Sequence, residues 1–180
     1  IEIPDFEFLS LSYLLQTYGE DVIQEGLRFF TCKRDHDRED YLHNKAIMME
    51  KKSISRTYLA LTSGGSILGY FSIGMKCMRI PDNTSISNTT RKRMNIDEET
   101  GVAQSYLLGQ LGRDDQSPKG FGKELLSEAL RRLMDANRIV GCRMVRLDCT
   151  DELIPYYESN GFVKVSKNER ENLNQMVILI

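Results

Sequence analysis

YLLGQLGRDDQSPKGFGKELLSEAL, residues 106–130, decides how this 180-residue chain is read. Tyr106 to Leu111 are aromatic and aliphatic in the manner of a strand. At the other end Leu125, Leu126, Ala129, Leu130, Leu133 and Met134 recur at the helical period. They predict an amphipathic helix that Gly141 stops. Between the two lie Pro118, where no helix has yet begun, and the glycines Gly120 and Gly122. A helix starting near Gly120 leaves its first N–H groups unpaired and pointing at the mouth of the turn. With no Cβ at the two glycines, the amides of Lys119, Gly120, Phe121, Gly122 and Lys123 can close on an anion. The helix dipole and the two lysines add positive potential there. Such a junction suits a pyrophosphate or a similar diester. Taken alone it is unspecific, because G-x-G before a helix also serves close packing. The three-glycine dinucleotide fingerprint is absent, and Lys123 is followed by Glu124 rather than the Ser or Thr of a P-loop.

Downstream, CRMVRLDC (142–149) alternates as a strand with one wetter face. TDELIPYYESNGF (150–162) turns helical, with Thr150 as cap and Gly161 as stop; Pro155 fits only if the helix starts near Ile154. FVKVS and QMVILI close the chain as two strands around KNEREN. Upstream, SLSYLLQTYG and EDVIQEGLRFF read as helices divided at Gly19, and HDREDYLHNKAIMMEKK as a third with acids first and lysines last. RTYLALT and SILGYFSIGMKCMRI form a hairpin across SGG. PDNTSISNTTRKRMNIDEETGVAQ (81–104) reads as a long surface connection, of a length that often serves a site or partner. The order predicts an α/β (α+β) fold in a single domain, residues 1–180. It has a mixed central sheet, N-terminal helices, a parallel strand-helix-strand unit at its centre and a C-terminal hairpin.

The balance of 24 basic against 26 acidic residues creates no bulk demand for nucleic acid or an anionic membrane. Cys32, Cys77, Cys142 and Cys149 form no C-x-x-C pair and read as buried reduced thiols. No apolar run approaches the ~20 residues of a membrane span, and the opening residues lack a basic-then-apolar leader, which sets the cytoplasm as the expectation. His36 and His43 lie among acids but have no third ligand at a fixed spacing, so no metal site is predicted.

The run from Tyr106 to Leu130, followed by DELIPYYESNGF, resembles the coenzyme-binding half of the GCN5-related N-acetyltransferase (GNAT) superfamily. FFTCKRDHDREDYLHNKA (29–46) is also similar to a GNAT subgroup that includes acetyltransferase toxins. The resemblance covers Ser105 to Val165 and implies a turn of the form Q/R-x-x-G-x-G/A that cradles the pyrophosphate of acetyl-coenzyme A. The implied cofactor-binding set is Leu111, Gly112 and Arg113 for the pantetheine arm and oxyanion, with Pro118, Lys119, Gly120, Phe121, Gly122 and Lys123 around the pyrophosphate. Two positions depart from the pattern. Ser117 stands where Gln or Arg is usual, and Pro118 has no N–H to give. The family's asparagine at the start of the last helix has Thr150 as its nearest counterpart.

The chemistry implied is transfer of an acetyl group from acetyl-CoA to a primary amine by direct attack in a ternary complex. Tyr157 matches the tyrosine that gives a proton to the departing thiolate, and Tyr156 is left to the core. Gly112 is expected to help the strand bend. Asp114, Asp115 and Gln110 lie near the cofactor strand, but acids at a strand end are usually solvated, and no general base is named. The expected partners are acetyl-CoA and an amine acceptor, with no membrane and with a homodimer left open. Nucleic acid enters only as an aminoacyl-tRNA acceptor, in which case the chain is a toxin-type acetyltransferase and Arg91–Arg93 would meet phosphate. A non-catalytic module that binds coenzyme A is the remaining alternative.

Overall fold

The computed structural model describes residues 2–180. Seven strands, β1 (Phe6–Ser10), β2 (Ser55–Thr62), β3 (Ile67–Arg79), β4 (Val102–Arg113), β5 (Met144–Cys149), β6 (Val163–Asn168) and β7 (Leu173–Leu179), make one sheet in the order β1-β2-β3-β4-β5-β7-β6. β4 and β5 run parallel, whereas β1-β2, β2-β3, β5-β7 and β6-β7 are antiparallel, so the sheet is mixed. Contacts divide the chain into two units. One runs to Gly74 and includes Gly109–Arg132, and the other comprises Met75–Leu108 and Leu133–Ile180.

In the first unit, Ser10 ends β1 and its hydroxyl accepts the Tyr13 amide at 3.1 Å, which opens α1 (Leu11–Tyr18). Gly19, at φ +84°, breaks the chain before α2 (Glu20–Leu27), where the sequence places the divide. The third predicted helix is real but not uniform. α3 (His36–Asp40), capped by the Asp35 carboxylate, passes through a π-helical turn at Tyr41–Lys45 into α4 (Ala46–Lys51). Leu11, Leu14, Leu27, Phe30, Leu42, Ala46, Leu59 and Tyr70 are buried together as the core of this unit. Strand β1 is not foreseen in the sequence. It is short, and its pairing, Phe6 with Thr62 through Ser10 with Tyr58, is supplied from far along the chain.

Two glycines set how closely this unit closes. A Cβ on Gly69 would meet the Gly112 carbonyl at 2.9 Å and Leu125 Cδ1 at 2.8 Å. A Cβ on Gly112 would meet Tyr70 Cε1 at 3.0 Å, with Phe30 Cζ and Arg38 Cβ at 3.4 Å. Gly112 is therefore required for the approach of the chain after α2 onto β4, rather than for a bend.

In the second unit Met78, Ile80, Met94, Ala103, Met144, Val165 and Val177 form the core. The long connection is not all loop. Ser87 caps a short helix, α5 (Asn88–Arg93), by accepting the Thr90 amide at 3.2 Å, and Met94 just after it is buried. The sequence conceals this because polar residues fill the helix, and the apolar residues that seat it, Ile86 and Met94, lie outside its ends. The principal helix, α6 (Gly122–Val140), belongs to the first unit as far as Arg132 and stops at Gly141, which has φ +70°. Leu125, Leu126, Ala129 and Leu133 are buried on it as predicted, but Met134 is exposed. After β5 a 3-10 turn (Asp151–Leu153) leads into α7 (Ile154–Ser159), whose first turn holds Pro155. Thr150 makes no side-chain cap; the Asp151 carboxylate instead accepts from Asn174 Nδ2 at 2.7 Å. None of the four cysteines is in a disulfide, and Cys32 and Cys149 are buried, whereas Cys142 is half-buried and Cys77 exposed, contrary to the reading of four core thiols.

Candidate functional site

The turn between β4 and α6 is built around Asp114. Its carboxylate accepts the Thr31 amide at 2.8 Å and the Gln116 amide at 2.9 Å, while its carbonyl accepts the Ser117 hydroxyl at 2.7 Å. Asp115 accepts the Lys33 amide at 3.0 Å. Both acids thus stitch residues 31–33 to the turn. Asp114 is only 8% exposed, so the expectation of a solvated acid fails there. Asp114→Ala would strip acceptors from two backbone amides, at a cost of about 2–4 kcal/mol. The expected outcome is a lower Tm by calorimetry, and an unchanged Tm would overturn this account of the turn.

Ser117, buried, points inward to Asp114, and its carbonyl accepts from Arg113 Nη1 at 3.2 Å. The position that departs from the family pattern therefore shapes the turn. Pro118 offers its carbonyl to the Phe121 amide at 3.1 Å, and Gly120 offers its carbonyl to Lys123 at 3.0 Å. The amides of Phe121 and Lys123 are thereby spent within the turn. Those of Lys119, Gly120, Gly122 and Glu124 take no intrachain acceptor and crown α6. Lys119, Gly120 and Lys123 are exposed, and a Cβ on Gly120, at φ +91°, would meet nothing within 4 Å. Phe121 is fully buried, its ring centroid 5.0 Å from that of Phe6, and anchors the first helical turn.

β4 gains one residue on β3. The Ile80 amide donates to the Gly101 carbonyl and the Asp114 amide to the Leu68 carbonyl, so residues 68–80, along β3, lie opposite residues 101–114, along β4, which are one more. The Ser105 hydroxyl still follows the first register, donating to the Lys76 carbonyl, whereas the Gln110 amide follows the second and donates to the Ser72 hydroxyl at 2.9 Å. The extra residue lies between Ser105 and Gln110, upstream of Gly112. The pairing of β4 with β5 is confined to Tyr106 and Leu107. Alternation along an antiparallel strand then turns the backbone of Leu111 and Arg113 to the edge away from β3. Both carbonyls on that edge are taken by arginines. Arg38 Nη1 donates to Leu111 at 2.6 Å, and Arg34 Nη2 donates to Arg113 at 2.7 Å. Burial first, and then the Arg34 charge, holds the Arg113 guanidinium below its ordinary pKa. Sequence reasoning does not find Arg34 or Arg38, since nothing in their spacing indicates carbonyls more than 70 positions away.

In the second unit Tyr157 is 5% exposed, and its ring packs edge-on against Phe162 at 5.7 Å and Tyr156 at 5.2 Å. Tyr156 is half-buried, yet its hydroxyl is enclosed and meets no protein partner, and burial raises its pKa. Arg91 is tied to the Pro81 carbonyl at 2.9 Å, whereas Lys92 and Arg93 are exposed. His43 Nε2 meets the Phe30 carbonyl at 2.8 Å. Among the described residues no three His, Cys, Asp or Glu gather as a metal site, and no helix is long and apolar enough to cross a membrane.

No protein-family model and no curated protein matches the sequence. Solved structures do. AtaT complexed with acetyl-methionyl-tRNAfMet superposes with a TM-score of 0.72 at 19% identity, over 95% of this chain and 94% of its own. A tyrosine-to-phenylalanine mutant of KacT gives 0.74 at 18%, over 97% and 94%. An AtaT tyrosine-to-phenylalanine mutant toxin, bound to the C-terminus of the antitoxin AtaR and acetyl-CoA, gives 0.64 at 18%, over 85% and 84%. At such identities the likeness is one of fold.

Proposed function

We propose that this chain, whose fold is that of the GCN5-related N-acetyltransferases, transfers the acetyl group of acetyl-CoA to a primary amine. The observation that carries the reading is the crown of unspent amides at Lys119, Gly120, Gly122 and Glu124, open to solvent at the start of a 19-residue helix. Four converging donors with two lysine side chains fit a diphosphate. Lys119, Gly120, Gly122 and Lys123 would hold it, while Pro118 and Phe121 shape and anchor the turn. The edge backbone of Leu111 and Arg113 would face the pantetheine arm, with Gly112 between them leaving the room a side chain would fill.

The reaction needs a neutral amine, a donor for the oxyanion and a proton for the leaving group. The amine nitrogen bonds to the thioester carbonyl carbon, whose oxygen takes up the π electrons. As the carbonyl re-forms, the carbon–sulfur bond breaks. Tyr157 gives its hydroxyl proton to the departing thiolate and recovers one from solvent, while the new amide nitrogen loses its extra proton to water. Residues 1–180 act as one domain in this reading, in the cytoplasm.

For the acceptor, the likeness to AtaT complexed with acetyl-methionyl-tRNAfMet favours the amino group of an aminoacyl-tRNA. The chain would then be a growth-arresting toxin with an antitoxin partner. Purified protein, labelled acetyl-CoA and a set of charged tRNAs, polyamines and peptides test this together. Label on an aminoacyl group supports the toxin reading, and label on another amine supports the acetyltransferase but moves the acceptor. Binding without turnover on any amine favours the non-catalytic module, and absence of acetyl-CoA binding overturns the whole reading.

A further inference from the structure

Arg38 reaches the free edge of β4 under constraint from every side. Its Nε pairs with the Asp35 carboxylate at 2.8 Å, and its side chain is only 25% exposed. Its own carbonyl accepts the Tyr70 hydroxyl at 2.6 Å, which fixes the backbone from which the side chain springs. Gly112 admits it, since a Cβ there would press on both Tyr70 and Arg38. From this seat Nη1 donates to the Leu111 carbonyl at 2.6 Å, and Arg34 takes the next carbonyl on the same edge, that of Arg113. A strand edge ordinarily alternates acceptors with donors. With both carbonyls engaged by guanidinium groups, the N–H groups of Leu111 and Arg113 are the backbone groups this edge has left to offer.

Resting on the acetyltransferase reading above, we propose that Arg38 is a positioning residue that turns the Leu111–Arg113 edge into a donor-only surface for the thioester carbonyl oxygen. It acts through the Leu111 carbonyl. The charged hydrogen bond occupies that acceptor and fixes the edge. Because the amide of the same peptide, Gly112 N–H, turns toward β3, the donors left facing the thioester oxygen are the N–H groups of Leu111 and Arg113. A preorganised donor counts most where charge develops during reaction. The consequence is selective, because Arg38 should govern how strongly the carbonyl is polarised and have little effect on how tightly the diphosphate is held at the turn.

The test reads the carbonyl directly and needs no acceptor. Acetyl-CoA carrying carbon-13 at the thioester carbonyl is bound to the full chain, and its stretching band is isolated by isotope-edited infrared difference spectroscopy. The wild-type band is expected at lower frequency than in free acetyl-CoA. Arg38→Met should return it most of the way toward the free position, and Arg38→Lys should keep part of the shift. In both variants the acetyl-CoA Kd should stay within about threefold of wild type, since the diphosphate contacts are untouched. A purely structural arginine would lower Tm and leave the band of the bound fraction unchanged, and that unchanged band overturns the proposal. If Arg38→Met fails to fold, Arg38→Lys decides by the same band, because a lysine cannot reproduce the paired Asp35 and Leu111 contacts. If wild-type protein binds no acetyl-CoA, the functional reading has failed, a result distinct from binding with an unshifted carbonyl.

Discussion

Gly120→Val is expected to weaken acetyl-CoA binding by on the order of 100-fold or more while leaving the fold intact. The two halves of that expectation have separate causes. A Cβ at Gly120 would meet nothing within 4 Å, so no packing is disturbed. The fold loses only the comfort of a glycine at φ +91°, a strain of about 1–3 kcal/mol for a β-branched residue. The ligand loses more. The Gly120 amide lies among the unspent N–H groups at the start of α6, and a valine side chain there would stand in the space the phosphates need. Two hydrogen bonds to a charged group, at about 1.5–3 kcal/mol each, account for the loss. Gly120→Asn separates strain from obstruction. Asparagine tolerates a left-handed backbone, so it should recover stability without recovering affinity. Calorimetric titration with acetyl-CoA, beside a thermal melt, reads both quantities. An unaltered Kd in Gly120→Val would remove the turn from the binding site.

That turn is also where the sequence was most informative. Pro118, Gly120 and the spacing of Leu125, Leu126 and Ala129 depend on local backbone chemistry, and the turn and α6 form where that chemistry puts them. The same holds for Gly19 between α1 and α2, for Pro155 in the first turn of α7 and for Gly161 after it. Features that depend on distant partners were hidden. Strand β1 exists because β2 supplies its register, and residues 6–10 alone are too few to show a period. The extra residue of β4 follows from comparing two contacts at opposite ends of β3, which no local pattern reports. Asp114 reads as a solvated acid until Thr31 and Gln116 are found donating to it. Gly112 reads from the sequence as a place where the strand bends. The structure gives it a tighter purpose, set by Tyr70, Phe30 and Arg38.

Tyr157→Phe is expected to cut turnover by about 10²–10⁴-fold with acetyl-CoA affinity close to wild type. The ring is what the fold uses. It packs edge-on against Phe162 and Tyr156 in a position 5% exposed, and phenylalanine fills the same space. The hydroxyl is what the chemistry uses, because a thiol of ordinary pKa about 8.5 leaves more readily when a placed donor meets the sulfur as the bond breaks. Tyr156 is the natural control, one residue away. Its hydroxyl is enclosed with no protein partner, a state that costs stability, so Tyr156→Phe should be neutral to stabilising, by up to about 1 kcal/mol, and should leave turnover unchanged. The pair is read by thiol release with whichever amine proves to be the acceptor. Loss of turnover in Tyr156→Phe but not in Tyr157→Phe would transfer the proton to Tyr156, whose unpartnered hydroxyl would then be explained by a ligand atom. Full turnover in both would mean that neither phenol serves the leaving sulfur and that the thiolate departs to solvent.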